Sequence, residues 1–139
     1  MVVQHHINEQ SQLIVTTIEG DVADVDLIYA IKHYHREIRS EFHYGNFNEI
    51  VDFSKVSKLT LSLAGLRELA LIAPSTDSYG QKTKLAVIVN SKPAYLLGKT
   101  YKAYRDCHPN ANKKIGLFER MHDAAEWVLI SRESELPQD

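Results

Sequence analysis

The chain has 139 residues, enough for one domain with a real core, since folding at this length buries roughly two-thirds of the unfolded surface. Its 44% hydrophobic and 24% charged content excludes wholesale disorder, and its formal net charge of -2 gives no electrostatic footing for nucleic acid or an anionic membrane. The single cysteine, Cys107, excludes an internal disulfide or a thiolate zinc cluster and fits a reducing compartment.

In chain order, the amino terminus MVVQHHINEQ has neither a basic start nor a long apolar core. No window reaches about 18 uninterrupted apolar residues, so the expectation is a cytoplasmic, soluble chain without stable membrane insertion. Val2 to Ile7 and the β-branched run Leu13 to Ile18 flank a polar turn and read as a hairpin. A helix capped by Asp21 or Asp24 follows, with Leu27, Ile28, Ile31, Tyr34 and Ile38 at helical spacing. Its exit from Ser40 to Asn48 is a loop carrying Phe42, His43, Tyr44 and Phe47 around Gly45.

Ile50 to Phe53 is a short third strand, and a turn rich in hydroxyls leads to a helix capped by Ser62 and stopped at Pro74. The polar loop Ser75 to Gln81 precedes the clearest strand, Leu85 to Val89, apolar on both alternating faces and so interior to a sheet. If helices cover one face of that sheet, the other needs a homodimer partner or the hairpin. Asn90 or Ser91 caps the next helix, with Pro93 in its first turn, Leu97, Tyr101 and Tyr104 inward, and Lys99, Lys102 and Arg105 outward. Lys114 to Phe118 is the last strand and Met121 to Ile130 the last helix, with Ala124, Ala125, Trp127 and Val128 toward the core.

The order is therefore β-β-α-β-α-β-α-β-α: an α/β fold with a mixed four- to five-stranded sheet and four helices. Residues 1–131 form one domain, and 132–139 are a frayed acidic tail.

Three stations of the chain, IVDFSKV, KLAVIVN with Tyr95 and Gly98 in the helix after it, and KIGLFERMHDAAEWVL, resemble the STAS domain, the SpoIIAA-like fold of anti-sigma-factor antagonists. The resemblance spans about Leu13 to Leu129 and is strongest for stand-alone bacterial SpoIIAA-like proteins, themselves akin to lipid-binding CRAL-TRIO modules. It implies a regulatory serine at the start of the helix after the Asp-Leu-Ser-like strand, in an Asp-Ser-Ser-Gly motif. This chain has Thr60-Leu61-Ser62-Leu63 in one register and Ser62-Leu63-Ala64-Gly65 in the other. Neither restores the motif. The resemblance thus implies the fold and a regulatory or interaction role without an intact phosphorylation switch.

Ser57, Thr60 and Ser62 are the candidate regulatory or partner-binding residues, with a capping role for Ser62 as the alternative. Phe42, Tyr44, Phe47 and Tyr79 are candidates to line a ligand pocket or an interface. Lys99, Lys102, Arg105, Lys113 and Lys114 form a local basic patch. His33 and His35 stand two apart on a helix and point in different directions, so no metal site is expected. Cys107 lies near a helix carboxyl end, where the dipole disfavours a thiolate. No nucleophile elbow, phosphate loop or dinucleotide fingerprint occurs. The expectation is a non-enzymatic protein without cofactor, binding a protein partner through Ser57 to Leu66. The alternative is a carrier of a small apolar molecule or lipid in an aromatic-lined pocket.

Overall fold

The computed structural model describes residues 1–76, 82–107 and 113–130. Tyr79 and the tail 132–139 lie outside them. The strands are β1 (Val2–Asn8), β2 (Leu13–Ala23), β3 (Asn48–Thr60), β4 (Thr83–Ile88) and β5 (Lys113–Phe118); the α-helices are α1 (Asp24–Tyr34), α2 (Leu63–Ile72), α3 (Lys92–Asp106) and α4 (Met121–Leu129). They build a five-stranded sheet in the order β1-β2-β3-β4-β5. β1 is antiparallel to β2, and every later pair is parallel.

From β2 to β5 the strand order advances in one direction, so right-handed crossovers put all three connecting helices on the same face. α1 packs on α2 and α2 on α3 accordingly. α4 follows the last strand, is not a crossover, and lies on the opposite face against β3, β4 and β5. There Ala124 and Val128 close over Leu13, Ile50, Ala86 and Ile88. The cover that the sequence assigned to a second copy or to the hairpin is supplied over these strands by the chain's own last helix.

The short third strand expected at Ile50 to Phe53 is longer in the structure, and the hydroxyl-rich turn is mostly strand. Past Asp52, where its pairing with β4 ends, β3 continues beside β2 to Thr60, the two forming a ribbon by themselves beyond Lys55. Two register shifts each insert one extra residue in β3, the first beside an Asp52 side chain that accepts from the Ser54 N–H at 2.8 Å. These insertions turn a mixed sequence into a one-sided strand. Phe53, Val56 and Leu59, three apart, all reach the core that holds Ile18, Val22, Leu27 and Leu69. Ser57 and Thr60 are left exposed on the ribbon.

The caps of α2 and α3 follow the sequence, but that of α1 does not: its N-cap is Ala23 rather than Asp21 or Asp24, and the carboxylate of Asp26 in the first turn accepts from the Ala23 N–H at 2.9 Å. Ser62 Oγ accepts from the Gly65 N–H at 2.9 Å, Ser91 Oγ accepts from Ala94, with Pro93 in the first turn, and the α2 helix gives way to a short 3-10 turn, Ala73–Thr76, that contains Pro74. At its carboxyl end α1 widens into a π turn over His35–Arg39, a local bulge common at functional sites.

Candidate functional site

The residues that face the sheet from the helices are small at several points: Ala30 on α1, Ala73 after α2 and Ala94 on α3. Bulkier neighbours such as Leu27, Leu69 and Tyr101 hold the helices off the sheet, and a cavity of about 160 Å³ remains between the layers. Its sheet wall is apolar, with Val51, Phe53, Leu85, Val87 and Leu117 from β3, β4 and β5.

One end of this cavity is polar. Glu49, the second residue of β3, has its side chain on the same face as Val51 and Phe53, and it is buried. The buried Lys113 ammonium of β5 donates to Glu49 Oε1. Tyr34 at the end of α1 donates its hydroxyl to Glu49 Oε2 at 2.5 Å, and Arg39 Nε stands 3.9 Å from the same oxygen. Burial pushes the Glu49 carboxyl up, but Lys113, Arg39 and the two hydrogen bonds outweigh it and hold its pKa below the usual 4.5. Glu49 is therefore ionised at neutral pH. Burial and the neighbouring carboxylate push the Tyr34 phenol well above its ordinary value, so it stays a donor. Arg39 also donates to the carbonyls of Tyr44, Gly45 and Phe47, tying the loop after the π turn to this cluster.

On α3, Arg105 is only 2% exposed. Its Nη1 donates to Tyr101 Oη at 3.0 Å, and both residues line the cavity. The predicted basic patch is thereby dissolved: Arg105 and Lys113 point inward, while Lys99 and Lys114 remain exposed. The reason is spacing. Arg105 lies four residues after Tyr101 and so shares its stripe on the helix, and Lys113 alternates with Ile115 on the inner face of β5.

Near the sheet edge, His5 of β1 sits 2.7 Å from Thr16 Oγ1 and packs its ring on Tyr34. Burial, then the His33 charge, lowers its pKa. Val3, His5 and Ala30 line both the cavity and an outer hollow between β1 and α1. The structure thus associates His5 with His33, a pairing that sequence spacing did not reveal.

Ser62 stands apart from the charged end. Besides capping α2, its Oγ donates to Asp24 Oδ2 at 2.7 Å, and its N–H donates to Asp24 Oδ1 at 3.0 Å. Asp24, the first residue of α1, thereby sets a carboxylate at the α2 amino terminus, where the helix dipole favours it. Gly65 makes room for it, because a Cβ there would collide with the Asp24 carboxylate. A phosphate on Ser62 would meet that carboxylate as a like charge. Ser62→Ala is expected to lower stability by about 1 kcal/mol through the lost cap. Gly65→Ala is expected to cost more than the lost cap and to cost less in an Asp24→Ala background; urea titrations of the four chains check this coupling.

No family model matches the sequence. No curated protein matches it either. A search of solved structures finds an uncharacterised protein of the DUF3478 family with a SpoIIAA-like fold from Shewanella loihica PV-4, at 12% identity over 91% of this chain and 92% of that one, with a TM-score of 0.55. This chain has a SpoIIAA-like fold. At that identity the likeness speaks for the architecture alone.

Within the SpoIIAA-like fold, Tyr44 and Phe47 of the expected aromatic group stay together at the end of the sheet. Phe47 is buried against Ile14 and Tyr34, with Tyr44 and Ile38 beside it, and Tyr44 meets Phe47 edge-on at 5.2 Å. Neither lines the cavity, whose aromatic wall comes from Tyr34, Phe53 and Tyr101. Phe42 lies in a 3-10 turn, Phe42–Tyr44. Cys107 is exposed at the end of α3. His122, Asp123 and Glu126 bring ligand atoms within 4.8 Å of one another on the exposed face of α4, and the His122–Glu126 pair at 3.6 Å is an ordinary i,i+4 contact. Among the described residues no helix is long and apolar enough to cross a membrane.

Proposed function

We propose that the protein is a non-enzymatic binding module that holds one small, largely apolar molecule between its sheet and the α1–α3 layer. The observation that carries this reading is the cavity of about 160 Å³ with apolar walls. An apolar cavity of about 150 Å³ engineered in another protein stays dry and takes up benzene. A hollow of this kind forgoes packing unless a ligand supplies it. Glu49, the one carboxylate among the described lining residues, is held ionised beside two cations. That suits a fixed counter-charge better than a general acid.

Native mass spectrometry of the protein as purified, followed by solvent extraction, tests the proposal. The expected result is an adduct that extraction removes, and an emptied protein that takes up toluene one to one. A chain with no adduct that also leaves toluene unbound contradicts it.

A second reading is favoured by α2, whose outer face leaves Leu63, next to Ser62, and Leu71, in the last turn, 63% and 67% exposed. Two leucines eight residues apart on one helix face form an anchor pair for a protein partner, the regulatory role that the SpoIIAA-like fold brings to mind. On this reading, a partner crosslinked to the wild-type chain is lost with Leu63→Asp plus Leu71→Asp and kept when the cavity is filled; the reverse dependence contradicts it.

A further inference from the structure

Helices pack on both faces of the sheet, but one of its edges is open. Among the described residues β1 pairs with β2 alone, so its outer side presents a row of backbone N–H and C=O groups. Proteins blunt such a row with lysines, proline, bulges or brevity, because an open edge is a template for another strand. The opposite edge, β5, follows that habit: it is six residues long and carries the exposed Lys114. β1 does not. Val2–Asn8 is seven residues without a lysine, arginine, carboxylate, proline or glycine, and it pairs with β2 in unbroken register from Val2 on Glu19 to Asn8 on Leu13.

We infer that β1 is the interface of a homodimer, in which it pairs antiparallel with β1 of a second copy about a two-fold axis at His5 and joins the two five-stranded sheets into one. Residues opposite one another in an antiparallel pair share a face, and centring the register on His5, the middle of the strand, engages all seven residues. Val3 then meets the partner's Ile7 on the half-buried face, and Gln4 meets the partner's His6 on the exposed face. The pattern is symmetric about its midpoint: apolar Val3 and Ile7 flank His5, with polar Gln4 and His6 between them. A two-fold axis requires that self-complementarity, whereas a foreign strand does not.

No ionised groups oppose each other along this register at its centre. Burial, then the His33 charge, lowers the His5 pKa, so two neutral imidazoles meet at the axis at neutral pH. The same axis brings the two outer hollows together. α1 is the outermost helix of its layer, packed on α2 alone of the other two helices there, and it borders the hollow beside β1. Tyr29, on the rim of that hollow, is 66% exposed and stacks on His33 at 6.2 Å. A second copy covers apolar surface there that the single chain leaves in water.

Sedimentation velocity of the full chain at neutral pH over a range of concentrations tests this. The expected result in the wild type is a concentration-dependent dimer. Gln4→Lys plus His6→Lys opposes two pairs of like charges across the axis and is expected to raise the dissociation constant roughly tenfold or more. Gln4→Lys plus His6→Glu turns both into opposite-charge pairs and is expected to restore the dimer, which no register centred elsewhere on β1 would do. A wild-type chain that stays monomeric as it is concentrated overturns the inference whatever the variants do. So does a dimer that survives the two lysines, one that the lysine and glutamate together fail to restore, or one lost instead with Leu63→Asp plus Leu71→Asp.

Discussion

Replacing Glu49 with leucine is expected to destabilise the fold by about 3–5 kcal/mol, a large share of the stability of a domain this size. The physical reason is asymmetry. The carboxylate is buried and receives Lys113, Tyr34 and the Arg39 guanidinium together, so removing it takes the shared anion away from two buried cations. A further Lys113→Met change in the Glu49→Leu chain is expected to recover part of the loss, because it removes one of the two buried charges that shared the carboxylate and leaves an apolar side chain of similar length. Urea unfolding followed by the fluorescence of Trp127, the single tryptophan, which packs on Phe118, measures both. A loss below about 1 kcal/mol for Glu49→Leu would show that the cluster does not organise this end of the fold.

The same group gives the wild type an acid-sensitive stability. The Glu49 pKa in the folded chain lies below its ordinary 4.5, so the unfolded state binds the proton more readily. The stabilisation is fully present above the unfolded value and is lost as pH falls through the folded one. Glu49→Leu is expected to flatten the part of the stability curve below about pH 4.5 that this residue supplies.

Filling the cavity is expected to act in the opposite direction. At about 24 cal/mol per Å³, a void of about 160 Å³ forgoes roughly 4 kcal/mol of packing. Val87 sits on β4, is buried, and lines the cavity. Val87→Phe is expected to raise the unfolding free energy by about 1–2 kcal/mol and to abolish ligand uptake together. The coupling is what matters, since a core without space would lose about 1–3 kcal/mol to overpacking. A destabilised Val87→Phe chain that still takes up toluene would place any ligand elsewhere.

Much of the architecture is legible in the sequence because its periodicities are clean. LAVIV alternates apolar residues on both faces, as a sheet interior requires, and Ser62, Ser91, Pro74 and Pro93 punctuate the helices as their chemistry dictates. The length of β3 is not legible: two inserted residues reset the face of the strand, and a strand with such shifts breaks the alternation that would reveal it. The cavity is hidden for a different reason. Its walls are ordinary core residues, and small side chains at Ala30, Ala94 and Gly98 do not announce whether a helix moves closer or leaves space. At Gly98 it moves closer, with Leu117 3.0 Å from where a Cβ would stand.

The charged end was within reach of the pattern. Glu49 alternates with Val51 and Phe53, Lys113 with Ile115 and Leu117, and Arg105 follows Tyr101 by one helical turn. Each charge occupies an inward phase of its element. Charged residues are rarely buried unless paired, so the habit of reading them as surface hides the pairing that only the tertiary fold brings together.

The most direct test of the binding module is a methyl-resolved NMR titration of the full chain with toluene. The account predicts saturable shifts at methyl groups of the cavity wall such as Ile18, Leu69, Val87 and Leu117, and none at Ile18, Leu69 and Leu117 in Val87→Phe. Shifts confined to the exposed Leu63, Leu71, Leu129 and Ile130, with the wall methyls unmoved, would contradict it.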